Sequence, residues 1–485
     1  MLARSRQIPS RLSHRAVSTK PSRYGQPTIS SHPHLIRKDD LTPGIPASDY
    51  ETRRRKLMEM LPEKSLVVSV AGPVKYMSSS AYKYRPSSNF WYLTGFEEPD
   101  SAVVLEKDSS SRGYKMTLFC SGTDSSKEKW DGANTSLADA KTIFAAEESL
   151  SISSLSSHLN SLLSSASHVF FDPPTPRPPT RNKTKRLLRY LSGPSDTEKE
   201  LLEDLPSSMR RPLAPLLGKL RLVKTEAELG VMRAAADISA RAHTKTMRFT
   251  EPGMSEHAVT AHFEYLCARE GSQRPAYVPV VASGPNSLIL HYTRNNQIIE
   301  DGELVLVDAG CEFNGYASDI TRTYPANGTF TAPQRDIYNA VLSAQKEMIK
   351  ICTERAGHSL QELHRQSCRA LQIELKQVGF SCSEGDLERV LYPHYLGHPI
   401  GIDLHESTYL DRSAPLKAGM VITIEPGLYI PPISNFPRHF HNIGVRIEDE
   451  VVVGTEHASI LSVSAPKEID DIEGACQGLL GLKPF

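Results

Sequence analysis

Residues Gly302–Thr323 read GELVLVDAGCEFNGYASDITRT, a stretch that predicts a β-hairpin with one aspartate on each arm. The apolar run Leu304–Val307 is typical of a buried strand, and it ends at Asp308. Asn314–Gly315 is the strongest short signal for a two-residue hairpin loop. Because side chains alternate between faces along a strand, this loop places Asp308 and Asp319 on one face as diagonal neighbours, within joint reach of an ion.

Two carboxylates this close repel each other unless a cation lies between them. The pair therefore predicts a metal site. The alternative is a surface hairpin with two solvated aspartates, because Asp is common near turns. The stretch by itself leaves both interpretations open.

Three further acidic or imidazole side chains strengthen the metal hypothesis. His398 lies in YPHYLGHPIGIDLHE, where Pro and Gly predict a loop or strand instead of one helix. Glu425 follows the apolar run Met420–Ile424, and Glu448 ends a second apolar run with Arg446 on the same face. A carboxylate at the end of an apolar run is more often paired or ligated than solvated.

Together these positions give four carboxylates and one imidazole, namely Asp308, Asp319, His398, Glu425 and Glu448. Such a set suits Mn²⁺, Co²⁺, Zn²⁺ or Fe²⁺, and four carboxylates nearly balance the charge of two divalent ions. A two-metal site activates water at neutral pH and favours hydrolysis. The donors left for a substrate carbonyl and a developing oxyanion are His291, His394 and His405.

At 485 residues the chain exceeds one typical core, so we expect two domains with tails. Alternating strands and helices predict a smaller α/β domain first, and the overall class is α/β (α+β). The predicted division is a leader and disordered lead-in at 1–46, an N-terminal α/β domain at 47–172, a Pro-rich and basic insertion or linker at 173–215, a catalytic domain at 216–465 and a C-terminal tail at 466–485.

Charge is distributed unevenly along the chain. Residues 1–38 hold eight of the 56 basic residues and no acidic residue, and this Arg- and Ser-rich start matches a mitochondrial transit peptide, with a disordered basic tail as the alternative. The rest has 48 basic against 56 acidic residues, a net charge of −8, so no global attraction to nucleic acid is expected. Seven scattered Cys without a CxxC pair favour reduced thiols, and no apolar run is long enough to span a membrane.

The order VDAGCEFNGYASDITRT, HYLGHPIGIDLHE, ITIEPGLYI and VRIEDEVVV resembles the pita-bread metallopeptidases, and specifically the aminopeptidase P (Xaa-Pro aminopeptidase) group. HYT at 291–293 and SNFWYLTGFEEPD at 88–100 fit the same group. The resemblance covers residues 47–465, and with the basic leader the chain is most similar to the mitochondrial intermediate-cleaving peptidase type.

The resemblance implies a pita-bread catalytic domain and two divalent ions, with Mn²⁺ as the expected metal. Asp308 would bind one ion, His398 and Glu425 the other, and Asp319 and Glu448 would bridge the two. Glu425 would also carry the proton from water to the leaving amine. The groups implied to bind substrate and stabilise the intermediate are His291, His394, His405 and Arg446, with Tyr429 nearby.

The function implied is that of a mitochondrial metalloaminopeptidase of the matrix. It would remove one N-terminal residue from peptides or imported proteins, acting on presequence-processing intermediates, Xaa-Pro substrates or both. A homo-oligomer, dimer or tetramer, is a further implication, and Trp91 matches a position that can reach a neighbouring subunit's site in family tetramers.

Three alternatives are weighed against this function. One is a prolidase-like Xaa-Pro dipeptidase, which would cut only dipeptides. The others are a non-catalytic binding protein on a pita-bread scaffold and a metal-free creatinase-like enzyme. Both of these predict a broken ligand set, whereas all five candidate ligands are present.

Overall fold

The structure is a computed structural model that describes residues 20–78, 80–172, 208–407, 409–481 and 483–484. The chain forms two compact units, Met1–Ala214 and Pro215–Phe485. The first 19 residues of the predicted leader and residues 173–207 of the predicted insertion lie outside the described residues. Among the described helices, none is both long and apolar enough to cross a lipid bilayer.

Unit 1 is built on a mixed six-stranded sheet. The strands of the whole unit are β1 (Asp40–Thr42), β2 (Ile45–Pro46), β3 (Ser65–Val70), β4 (Tyr76–Met77), β5 (Ser80–Ala81), β6 (Ala102–Lys107), β7 (Tyr114–Cys120), β8 (Glu148–Ser151), β9 (His168–Phe171) and β10 (Arg210–Arg211). Strands β1 and β2, and strands β4 and β5, pair separately from the six-stranded sheet. Its helices are α1 (Ala47–Glu59), α2 (Ser88–Thr94), α3 (Glu128–Asp131), α4 (Leu137–Ile143) and α5 (Leu155–Leu163). The sheet order is β10-β9-β3-β6-β7-β8.

The core of unit 1 follows from the predicted apolar runs. Strand β3 pairs antiparallel with β6 and parallel with β9, so its residues are buried near the middle of the sheet. On α5, Leu155 and Leu159 lie four residues apart and therefore face the same side, where they join the buried cluster that contains Val68 and Phe171. The alternation of strands and helices predicted for this domain is confirmed.

One expectation for unit 1 is wrong. The lead-in that was expected to be poorly ordered is packed from Gln26 onward, because the Gln26 amide donates to the Gly95 carbonyl at 3.0 Å and accepts the Glu97 N–H at 2.8 Å. Trp91, for which a role between subunits is only predicted, makes its described contacts within this chain. It is 4% exposed, its indole N–H donates to Glu97, and its ring packs edge-on against Tyr50.

Unit 2 contains the predicted metal-binding positions. Its helices are α6 (Ala214–Leu222, beginning at the unit boundary), α7 (Glu226–Phe249), α8 (Glu256–Arg269), α9 (Ala332–Ile351), α10 (Leu360–Gln377), α11 (Glu384–Asp386) and α12 (Ile469–Cys476). Its strands are β11 (Arg274–Pro275), β12 (Val280–Ser283), β13 (Leu304–Asp308), β14 (Cys311–Phe313), β15 (Tyr316–Ala317), β16 (Thr321–Pro325), β17 (Val421–Ile424), β18 (Gly427–Ile430), β19 (Ile443–Arg446), β20 (Asp449–Val452) and β21 (Ser459–Ile460).

The strands of unit 2 form small antiparallel sheets, ordered β11-β14-β15, β12-β13-β16, β17-β20-β21 and β18-β19. Helix α7 begins at a capping box: the Glu228 N–H donates to the Thr225 hydroxyl, and the Glu228 carboxylate accepts the Thr225 N–H at 2.9 Å. The tail after Pro466 includes α12, which the sequence interpretation did not predict. Lys467 there donates to buried Asp449 at 2.6 Å, so the tail is part of the fold of unit 2.

Candidate active site

The predicted hairpin is present and its register is continuous across both of its parts. Phe313 pairs with Tyr316 around the turn, and Asp308 pairs with Thr321 further out on β13 and β16. Asn314 and Gly315 have φ values of 50° and 83°, the left-handed conformation that this tight loop requires. Asp319 lies two residues before Thr321, and therefore shares a face with Asp308 as predicted.

The Tyr277 hydroxyl joins these two carboxylates. It lies 2.5 Å from Oδ1 of Asp308 and 2.6 Å from Oδ1 of Asp319. Asp319 is 5% exposed, and its backbone N–H donates to the buried Glu450 carboxylate at 2.8 Å. The Tyr277 hydroxyl thus brings the two aspartate side chains together, and the Glu450 carboxylate fixes the backbone at Asp319.

His398 presents one ring nitrogen to the carboxylates. Its Nδ1 lies 3.1 Å from the Pro399 carbonyl, which can only accept, so Nδ1 carries a proton. Its Nε2 lies 3.3 Å from Oδ2 of Asp319 and 3.7 Å from Oε1 of Glu425. This arrangement fixes the ring in the orientation and tautomer that metal-ligating histidines use.

A threonine two residues away from a candidate ligand supports each glutamate. The Thr423 hydroxyl donates to Glu425 at 3.2 Å and accepts the His398 N–H at 3.0 Å. The Thr321 hydroxyl donates to Glu448 at 2.6 Å. Glu425 lies one residue after the end of β17 and Glu448 two residues after the end of β19, so both strands end slightly earlier than the apolar runs predicted.

The electrostatics of this cluster favour a bound cation. Burial raises the pKa values of Asp319, of Glu425 (to about 7) and of Glu448, and the charges of neighbouring carboxylates add to each rise. Burial lowers the pKa of His398, but Asp319 and Glu425 outweigh it and raise that pKa to about 9. The surrounding carboxylates therefore favour positive charge at Nε2, as a metal-binding set must.

The ligand atoms of Asp319, His398 and Glu448 all lie within 4.8 Å of one another. Asp308 joins them through Tyr277, and Glu425 through His398. Oxygen donors with one imidazole suit divalent transition metals. The five predicted positions are thus brought together, and their chemistry fits a metal centre.

Arg446 and Tyr429 form one wall of the site. The Arg446 guanidinium is buried and donates to Asp308 at 2.5 Å, to the Tyr429 hydroxyl at 2.8 Å and to Thr321 at 3.2 Å. Nε2 of His394 lies 2.9 Å from the same Tyr429 hydroxyl. Burial and the charge of Arg446 lower the pKa of His394 to about 3, so this imidazole is neutral at physiological pH.

Of the two remaining predicted histidines, His405 contacts a candidate metal ligand directly. The His405 ring packs edge-on against His398, with centroids 4.3 Å apart. Partial burial, and then the charges of His398 and His291, lower the pKa of His405 to about 4. His291 is exposed on the loop between β12 and β13.

A buried arginine holds the loop that carries His405. The Arg221 side chain donates to Glu406 at 2.6 Å and to Asp403 at 2.6 Å, one residue after His405 and two residues before it. Arg221 and Glu406 are both almost fully buried. This ion pair fixes the loop on both sides of His405.

Sequence reasoning missed several residues that shape the site. Thr321 and Thr423 could have been found, because each lies two residues from a candidate ligand along an extended segment and thus on the same face. Tyr277 and Arg221 carried no such signal, since each meets the site only through tertiary folding. Glu450 could have been found by the same alternation, two residues after Glu448.

Comparisons with known proteins agree with this architecture. Residues 230–455 match the model of metallopeptidase family M24, and residues 50–170 match the aminopeptidase P N-terminal domain. The chain is 37% identical to Intermediate cleaving peptidase 55, mitochondrial, of Arabidopsis thaliana, covering 95% of this chain and 90% of that protein. It is also 37% identical to Xaa-Pro aminopeptidase 3 of Homo sapiens, covering 94% and 91%.

The crystal structure of Icp55 from Saccharomyces cerevisiae matches with a TM-score of 0.82 at 36% identity, covering 91% of this chain and all of that chain. The fold is therefore the two-part architecture predicted from the resemblance, an N-terminal α/β domain and a pita-bread catalytic domain. This chain belongs to metallopeptidase family M24, in the aminopeptidase P group that includes the intermediate cleaving peptidases and Xaa-Pro aminopeptidase 3.

Proposed function

We propose that this protein is a mitochondrial metalloaminopeptidase that hydrolytically removes a single residue from the N-termini of peptides or imported proteins. The observation that carries the proposal is the convergence of Asp319, His398 and Glu448 within 4.8 Å. Asp308 and Glu425 adjoin this group, and the imidazole tautomer leaves Nε2 facing the carboxylates. The relatives named above support the aminopeptidase activity.

The proposed metal ligands are Asp308, Asp319, His398, Glu425 and Glu448, and the proposed ions are two Mn²⁺. When bound, such ions polarise the substrate carbonyl and lower the pKa of water. Within this set, Glu425 is the group proposed to accept a proton from the attacking water and return it to the leaving amine.

The proposed substrate-binding groups act from the outer side of the metal set. His291, His394 and His405 would donate to or orient the substrate carbonyl and the developing oxyanion. The neutral state of His394 suits a hydrogen-bonding role, since a neutral imidazole has one donor and one acceptor nitrogen. Arg446 would hold Asp308 and Tyr429 in place while the substrate binds.

We further propose the mitochondrial matrix as the site of action and a homo-oligomer, dimer or tetramer, as the assembly. The Arg- and Ser-rich start without acidic residues supports import, as does the mitochondrial relative. The substrates would then include proteins that have already lost a presequence.

One relative is named for cleavage of Xaa-Pro substrates and another for cleavage of processing intermediates, so two substrate classes have to be distinguished. The test uses a matched pair, Tyr-Ala-Ala-Ala and Tyr-Pro-Ala-Ala, with the Mn²⁺-loaded protein. Cleavage of the alanine peptide at a comparable or higher rate supports processing of general N-termini. Cleavage of the proline peptide alone identifies a conventional aminopeptidase P, and cleavage only of a dipeptide such as Tyr-Pro identifies a dipeptidase.

A further inference from the structure

Glu256 is a buried carboxylate that accepts hydrogen bonds from five donors. It is the first residue of α8 and is fully buried. Its Oε1 accepts the backbone N–H and the hydroxyl of Ser283 and the Asn286 amide, each at 2.9 Å. Its Oε2 accepts the Tyr292 hydroxyl at 2.8 Å and the Gln297 N–H at 2.9 Å.

These donors span the whole loop that carries His291. Ser283 ends β12 at the start of the loop, Gln297 lies near its end, and Tyr292 is the residue next to His291. The backbone adds to the connection, because the Glu256 N–H donates to the Gln297 carbonyl at 2.9 Å. The loop also contains one short 3₁₀ turn at Gly284–Leu288 and an antiparallel bridge between Ser255 and Ile298. The Asn295 side chain adds a second anchor, because it accepts the Val281 N–H at 3.0 Å and donates to the Pro279 carbonyl at 2.9 Å.

The carboxylate is suited to remain ionised in this position. Burial raises the pKa of Glu256, but hydrogen bonds from Ser283, Gln297, Asn286 and Tyr292 outweigh burial and leave the pKa below its ordinary value. The first turn of a helix also stabilises negative charge. An ionised carboxylate only accepts, so it can satisfy all of the donors that converge here.

Tyr292 connects this carboxylate to the active-site wall. Its ring is 7% exposed and lies in one buried apolar cluster with Val280, Leu306 and Tyr429. The Tyr429 hydroxyl in turn meets Arg446 and His394, as described above. A shift of Tyr292 would therefore disturb both the path of the loop at His291 and the packing of Tyr429.

We propose that Glu256 is a positioning residue that, through Tyr292, holds His291 in the place where it meets the substrate. This inference rests on the proposed function for the role of His291. Glu256 itself makes no contact with the candidate metal ligands, so it acts on the reaction only through the loop.

The first test is a double-mutant cycle between Tyr292→Phe and His291→Ala. The Phe variant keeps the ring in its cluster and removes one donor, so we expect kcat/KM to fall about tenfold with unchanged metal content and little change in Tm. In the His291→Ala background the same change should have almost no further effect, because the two act as one unit. The matched control is Tyr265→Phe, because Tyr265 is an exposed tyrosine on α8, the helix that begins at Glu256.

The second test reads the loop without using activity. Arg294 is an exposed trypsin site within the loop. We expect Glu256→Gln to be cut after Arg294 several-fold faster than the wild-type protein, since an amide presents donors to donors and loosens the loop. Unchanged cleavage at Arg294, or an equal loss of kcat/KM from Tyr292→Phe in both backgrounds, overturns the inference. If the wild-type protein shows no metal-dependent aminopeptidase activity, the proposed function fails, and the trypsin test still decides whether Glu256 anchors the loop.

Discussion

Tyr277 offers one hydroxyl proton to two carboxylates that are proposed to hold metal. Its oxygen is 2.5 Å from Asp308 and 2.6 Å from Asp319, so it keeps both side chains pointing at the same place. Replacing Tyr277 by Phe removes that hydroxyl and retains the ring. The carboxylates are then free to rotate apart, and the set is no longer preorganised for an ion.

The size of the effect follows from the number of protons involved. A hydrogen bond to a charged group contributes about 1.5–3 kcal/mol, and one proton can serve only one carboxylate at a time. The hydroxyl also reduces the repulsion between Asp308 and Asp319 when no metal is bound. It therefore stabilises the metal-free state as well, and only part of its contribution favours metal binding. We therefore expect the Kd for Mn²⁺ to rise about tenfold, at the lower end of the 10–100-fold range typical of groups that support metal ligands.

The assay is competition for Mn²⁺ with a chelator of known affinity, together with kcat/KM for N-terminal residue release at limiting and saturating metal. The activity lost at limiting Mn²⁺ should be largely restored at saturating Mn²⁺. Tyr338→Phe is the control, because the Tyr338 hydroxyl donates to the Lys467 carbonyl, away from the site. Unchanged or tighter Mn²⁺ binding by the Tyr277→Phe protein refutes the reasoning.

Three other perturbations follow from the same structure. Asp319→Ala should nearly abolish turnover and lower metal content while circular dichroism stays the same, whereas retained activity with full metal content contradicts its bridging role. Asp449→Ala leaves the fully buried Arg322 without its carboxylate and should lower the free energy of unfolding by about 3–5 kcal/mol, measured as a lower Tm. The control is Asp411→Ala at an exposed position, which should leave the free energy of unfolding unchanged. Burial alone would raise the pKa of Asp449, but its cationic partners have the larger effect and hold that pKa well below the ordinary value. The stabilisation by Asp449 is therefore complete above about pH 4 and is lost as pH falls. If the free energy of unfolding depends on pH in the Ala variant as strongly as in the wild-type protein, this reasoning is contradicted. Deleting residues 1–19, which keeps the packed segment from Gln26 onward, should leave peptidase activity in vitro and stop import into isolated mitochondria, so normal import of the truncated protein disproves the leader.

The parts of the site that sequence reasoning reached are those set by local rules. An Asn-Gly loop fixes hairpin register, and register fixes which side chains share a face, so Asp308 and Asp319 could be placed together in advance. Apolar runs that end in Glu425 and Glu448 gave two more positions, because a carboxylate at such a place needs a partner. The family motif then joined His398 to the set.

The parts that were missed depend on segments that meet only in the folded chain. Tyr277 reaches the aspartates from the segment before β12, and no periodicity marks it. Gln26 lies in a Pro- and Ser-rich segment whose composition indicates disorder, yet its amide pairs with backbone groups at Gly95 and Glu97.

The most direct test of the metalloaminopeptidase proposal is a titration of the metal-free protein with Mn²⁺ while release of free tyrosine from Tyr-Ala-Ala-Ala and Tyr-Pro-Ala-Ala is measured. We expect no release without metal, release from at least one peptide as Mn²⁺ is added, and saturation near two ions per chain. Tyrosine release that is independent of metal, or no release from either peptide at saturating Mn²⁺, would contradict the proposal.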